Sequence, residues 1–223
     1  SEAAEKLSDP RMQETIATAM ASLSQALMGM KMAPFARAME KNGRVVLPMV
    51  FLMTPDEARH QSPADAARAL SLVEPHAIKV IRDRGDGRLA FPMPATAGLL
   101  ANLPELTRAA RRTGHINTLP DRDGTVRWAP LVLRHQQLFF PSADLQAVRL
   151  YLGDPAFVLH TGDDGVHGVQ LGERLIATDE FGRVLIHYRG GPGSFPTFSV
   201  ADLPAGRVNT ETVRDKIVLI GAT

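Results

Sequence analysis

The sequence predicts a mixed α/β domain, three-layer-like, with a central, partly parallel sheet flanked by helices. Three observations predict it. Two continuous apolar runs, at residues 44–51 and 217–221, read as strands buried on both faces. Segments of helical period lie between them. The second half is broken by Gly162 to Gly165, Gly168, Gly172 and Gly182, which reads as an antiparallel, Gly-rich addition with tight turns. There is no fixed-period repeat and no low-complexity linker, so residues 1–223 read as one domain with two lobes.

The elements follow in chain order. Asp9-Pro10 opens a helix, because Asp accepts free amide hydrogens at the N-cap and Pro is pre-set for the first turn. Met12, Ile16, Met20, Leu23 and Leu27 then recur at helical spacing as a core-facing stripe. A second helix over 34–41 stops at Asn42-Gly43, a common C-cap pair. The apolar strand of 44–51 comes next, then a polar loop over 54–62, a helix over 63–73 and an extended segment at 77–81. Residues 84–88 form a turn and 91–96 a proline-rich extended segment. Pro104 opens a helix with Leu106 and Ala110 inward, ended by Gly114. Residues 125–133 have strand character, with Trp128 in a packing role. Residues 138–140 pair back across the turn at 135–137. Ser142 caps a helix that turns Leu145, Val148 and Leu152 inward and ends at Gly153. Residues 184–186 are a strand, and the apolar strand at 217–221 is entered through Arg214-Asp215-Lys216.

Composition narrows the function classes. The net charge is +1, from 25 basic and 24 acidic residues, without the basic excess of a nucleic-acid binder. Arg108, Arg111 and Arg112 read as one solvated helix face. The absence of cysteine excludes disulfides, thiolate zinc sites, thiol nucleophiles and iron–sulfur clusters. No stretch reaches the roughly 18 uninterrupted apolar residues of a membrane span. Residues 15–30 carry no charge but include Thr15, Thr18, Ser22, Ser24 and Gln25, and read as a soluble helix. Any membrane anchor is therefore expected outside this chain.

No motif carries evident catalysis. No histidine pair has the i, i+4 spacing of a helical zinc site. His160 and His167 flank Asp163-Asp164, which reads as a hairpin turn in preference to a metal site. Asp121-Arg122-Asp123-Gly124 resembles the opening of a calcium loop, but Val132 stands where that loop needs a bidentate acid. Gly190-Gly191-Pro192-Gly193-Ser194 lacks the Lys-Ser/Thr end of a phosphate loop and reads as a surface loop. No Ser/His/Asp triad has a recognisable local context. No metal, cofactor or catalytic residue is expected.

A resemblance adds what spacing alone does not. Gly114-His115-Ile116-Asn117 is followed by Asp121-Arg122-Asp123-Gly124, Arg127 and Pro130-Leu131, then by Phe140-Pro141-Ser142 leading into a helix. Later come Tyr188-Arg189-Gly190, Phe198-Ser199-Val200-Ala201-Asp202 and Asp215-Lys216-Ile217-Val218-Leu219-Ile220-Gly221-Ala222-Thr223. In order and spacing this half resembles the type-two CHASE domain, the cyclase/histidine-kinase-associated sensory extracellular domain. The family's opening strand has no counterpart here, and the family continues beyond the last strand. The resemblance thus implies a domain cut at both ends.

It also implies a role. Such domains sit outside the cytoplasmic membrane, behind spans that here lie outside the chain, and precede a cytoplasmic cyclase or kinase. The expected partners are a small-molecule or periplasmic ligand, no nucleic acid, and a second copy in a homodimeric receptor. Polar groups in the motif loops are the expected ligand contacts: Asn117, Asp121, Asp123, Arg127, His187 and Arg189. For Asp121, Asp123 and Arg127 the competing reading is a structural turn with a local ion pair. His187 and Arg189 end a strand beside a Gly-rich loop, where open α/β sheets place ligands. The rival functions are a dimerisation module without a small ligand and a small-molecule hydrolase.

Overall fold

The computed structural model describes residues 32–85, 96–191 and 193–221. The helix expected after Asp9-Pro10 and most of the segment at 84–96 lie outside the described residues.

Helix α1 runs over 32–42 and stops at the expected glycine. Gly43 takes φ +66°, and its N–H donates to the Met39 carbonyl at 3.0 Å. This left-handed cap is open to glycine at little steric cost. Strand β1 (Val46–Leu52) follows, with Met49 and Phe51 buried but Pro48 exposed. Burial therefore alternates towards its end, in place of the expected burial on both faces. Helices α2 (Pro55–Ala58) and α3 (Pro63–Val73) each start at a hydroxyl cap. Thr54 Oγ1 accepts from the Glu57 N–H at 3.2 Å and Ser62 Oγ from the Asp65 N–H at 3.1 Å.

Strands β2 (Val80–Asp83) and β3 (Gly98–Leu100) precede helix α4 (Pro104–Ala109) and strand β4 (Arg112–His115). Three short strands come next: β5 (Trp128–Pro130), β6 (Val132–His135) and β7 (Leu138–Pro141). Helix α5 (Ala143–Tyr151) is capped by Ser142, as expected. Its Leu145 is buried, whereas Val148 is exposed. The second half holds β8 (Phe157–Gly162), β9 (Gly165–Leu171), β10 (Arg174–Ala177), β11 (Arg183–Leu185) and α6 (Thr210–Val213).

The mixed α/β expectation holds, with the parallel pairing divided between two sheets. One sheet has the order β3-β1-β4, with β1 parallel to β4 and antiparallel to β3. The other has the order β10-β9-β8-β2, where β2 and β8 are parallel and the remaining pairs antiparallel. Strands β6 and β7 form the expected hairpin, and β5 pairs antiparallel with β11. One buried cluster joins these elements through Met49, Phe51, Phe139, Phe140, Leu159 and Leu171. Phe51 is its centre, with ring centroids 5.4 Å from Phe140, 5.7 Å from His135 and 6.1 Å from His115.

Two expectations fail. Gly114 does not end a helix; α4 stops at Ala109 and Gly114 lies inside β4. A Cβ there would stand 2.5 Å from the Ala143 nitrogen and 2.6 Å from the Ser142 carbonyl carbon. The glycine lets β4 pack against the start of α5, where His115 bridges Ser142 in parallel. The apolar run at 217–221 is not a strand and pairs with no described strand. Leu219 is 86% exposed and Ile220 78%. An apolar run becomes a buried strand only where a neighbour supplies the ladder, and no described strand does so here.

Candidate functional site

Asn117 lies at the end of β1. Its Nδ2 donates to the Phe51 carbonyl at 2.8 Å, and its Oδ1 accepts from the Phe51 N–H at 2.9 Å. The amide thus takes the place of a neighbouring strand and holds the central aromatic of the core. Asn117→Ala leaves both backbone groups without this partner, at a cost of about 2 kcal/mol. The expected result is a melting temperature about 4–8 °C lower. Asn117→Asp, which keeps the acceptor and loses the donor, should fall between; unchanged melting of both variants would contradict this role.

The turn after Asn117 is closed on itself. Arg127 donates to Asp121 at 2.9 Å and to both oxygens of Asp123, at 3.0 and 2.8 Å. Gly124 takes φ +80°, and its N–H donates to the Asp121 carbonyl. The guanidinium bond holds the exposed Asp123 carboxyl at a pKa of about 2, with help from the Thr125 N–H. The same carboxylates raise the pKa of Arg127. This is the local ion-paired turn that competes with ligand contact in the sequence.

His187 and Arg189 lie beyond β11, exposed, and make no hydrogen bond or ion pair among the described residues. Between them the Tyr188 hydroxyl donates to the Val126 carbonyl at 2.6 Å, and the Ile186 N–H donates to the Arg127 carbonyl at 2.8 Å. The two late motifs are therefore side by side, while Asn117 serves β1.

A different cluster lies on the outer face of β10-β9-β8-β2. A shallow depression of about 350 Å³ is lined there by Arg82, Arg84, His160, His167, Gln170 and Leu175. Register explains the convergence. Arg82 pairs with His160 across the parallel strands β2 and β8, Val158 with Gln170 across β8 and β9, and Gln170 with Leu175 across β9 and β10. Partnered residues share a face. His167 owes its place to a bulge: His160 pairs with Gly168 but Thr161 with Val166, leaving His167 as the extra residue. Val166 and Val169 are consequently buried in the core, and His167 turns outwards. Its ring lies over Gly162, where an added Cβ would stand 2.8 Å from Nε2.

The hydrogen bonds orient the imidazoles. Gln170 Nε2 donates to the Gly172 carbonyl at 2.8 Å, so Gln170 Oε1 is the atom facing His160 Nε2 at 2.8 Å. His160 Nε2 is then the donor of that bond. His167 Nε2 meets Asp164 Oδ1 at 2.6 Å, which lowers the Asp164 pKa. Arg82 and Arg84 make no side-chain hydrogen bond or ion pair among the described residues. No three His, Cys, Asp or Glu side chains among the described residues are placed to hold a metal ion.

A second, more open depression of about 510 Å³ borders Arg44, Arg111 and Asp154. Here Arg111 is already engaged, together with its neighbours Arg112 and Arg149. Arg111, Arg112 and Arg149 converge on Asp154 at 2.9, 2.7 and 2.9 Å. Arg111 and Arg112 are thus not a solvated helix face; they tie β4 to the end of α5. Partial burial opposes ionisation of Asp154, but the three guanidiniums prevail and its pKa is lowered.

Comparison with known proteins agrees with the motifs. No curated protein and no solved structure matches the chain. The family model of the CHASE2 domain matches residues 7–223. The chain therefore belongs to the CHASE2 domain family, the sensory extracellular domains of signalling receptors.

Proposed function

We propose that this chain is the extracytoplasmic sensory domain of a transmembrane receptor and controls a cytoplasmic nucleotide cyclase or kinase. The CHASE2 match over residues 7–223 is the observation that carries the reading. No helix among the described residues is long and apolar enough to cross a membrane, and in this reading the spans lie outside them. Signalling then requires a ligand that prefers one of two arrangements of the domain, because equal affinity for both shifts nothing. Each tenfold preference is worth about 1.4 kcal/mol of bias on the adjoining spans.

The reading frame around the chain tests this. It is expected to encode apolar spans of roughly 20 residues and, beyond them, a cyclase or kinase domain. A frame that carries neither would overturn the receptor reading.

A second role, holding two receptor chains together, has one observation in its favour. Ile217 to Ile220 present consecutive exposed apolar side chains, and such surface favours association. Light scattering across a concentration series should then show a dimer that Leu219→Lys dissociates. A monomer at all concentrations would remove this role.

A further inference from the structure

We propose that the outer face of β10-β9-β8-β2 is a binding site for a small multivalent oxyanion. Its cations are Arg82 and Arg84, with His160 and His167 beside them and the Gln170 amide between strands. Two features mark the face as built for a ligand. First, the bulge at His160/Thr161 places His167 on the same depression as His160, against the regular alternation of β9. Second, the two arginines make no side-chain hydrogen bond or ion pair among the described residues. The nearby acids are otherwise occupied: Asp164 meets His167, and Asp83 Oδ1 accepts from Thr161 Oγ1 at 3.0 Å and from the Gly85 N–H at 3.1 Å. Asp163 has its Oδ1 against Gly85 and an interaction of its own.

The chemistry of the face selects the ligand class. Guanidinium forks match carboxylate and phosphate oxygens in pairs. Arg82 on β2 and Arg84 just beyond its end are two residues apart in extended chain, so their Cα atoms sit about 7 Å from each other. That spacing suits two oxyanion groups on one molecule better than a single monoanion. A depression of about 350 Å³ suits a metabolite-sized molecule. The class is thus a phosphate ester or pyrophosphate on one hand, and a di- or tricarboxylate on the other.

The sensory reading gives this site its meaning, but the site itself belongs to this chain. Titration of the chain with sodium pyrophosphate and, separately, sodium citrate at constant ionic strength tests it. The readout is the imidazole resonances of His160 and His167, with His60 and His187, which do not line the depression, as references. Saturable shifts at His160 and His167 are expected with at least one probe. Pyrophosphate alone would assign phosphate, and citrate alone carboxylate. Arg82→Gln and Arg84→Gln should each weaken binding about tenfold or more, with Arg82→Lys intermediate. Both arginines are exposed, so the fold should persist, and unchanged reference resonances check this. No shift with either probe at millimolar concentration, or shifts that survive both glutamine variants, would overturn the proposal. Binding in a protein whose frame lacks spans would sink the receptor reading alone, whereas spans without binding would sink this inference alone.

Discussion

Lowering the pH from 7 to 5 should cost this chain about 2 kcal/mol of stability through His115 alone. His115 is 1% exposed, packs beside Phe51, and has no hydrogen-bond partner for either ring nitrogen among the described residues. Burial drives its pKa from 6.5 down to about 3. The folded chain therefore keeps the ring neutral over a range where the unfolded chain binds a proton. Between those two pKa values each pH unit favours unfolding by about 1.4 kcal/mol. The contribution is fully present above about pH 6.5 and declines as pH falls, down to the folded value near 3. The melting temperature should drop about 4–8 °C from pH 7 to pH 5. His115→Leu should flatten this dependence without abolishing it, because burial also lowers the pKa of His76 and His135. The depressed carboxylates of Asp123, Asp154 and Asp164 act below about pH 4, so the window isolates the histidines. Urea unfolding at pH 5, 6 and 7 checks the slope; equal slopes in wild type and His115→Leu would refute this account.

Gly114→Ala is the second large effect. The added Cβ would meet backbone on the neighbouring element, at 2.5 Å from the Ala143 nitrogen and 2.6 Å from its Cα. Backbone cannot rotate away as a side-chain tip does, so β4 or the start of α5 must move. Overpacking of this kind costs about 3 kcal/mol, or a melting temperature about 6–12 °C lower. Gly191→Ala is the matched control, since a Cβ there meets nothing within 4 Å. It should stay within about 0.5 kcal/mol of wild type. Equal melting of the two variants would show that β4 does not pack on α5 as described.

Local chemistry was legible in the sequence. Gly43 and Ser142 cap helices because one residue decides each cap. The β6–β7 hairpin follows from two apolar runs and the short turn where Gln136 takes φ +54°. The CHASE2 family was legible because several motifs keep order and spacing. What depends on register across the chain was not. Arg82 meets His160 only through a parallel pairing between segments far apart in sequence, and nothing near either residue announces it. The bulge that turns His167 outwards leaves a trace in the Gly162 to Gly168 cluster, but a turn explains that cluster equally well. Asn117 shows that a polar motif residue can serve the fold: its amide does backbone work on β1. Gly114 misled in another way, since a helix end and a close backbone approach both select glycine.

The central claim is that this domain faces outward from a receptor. The chain has no cysteine, so once any cysteines of the flanking sequence are replaced by serine, one introduced thiol reports its own location. Glu173 is exposed in the turn between β9 and β10 and suits the purpose. The full-length protein carrying Glu173→Cys should react with a membrane-impermeant maleimide in intact spheroplasts, as fast as after detergent. Labelling only after permeabilisation would place the domain in the cytoplasm and contradict the account.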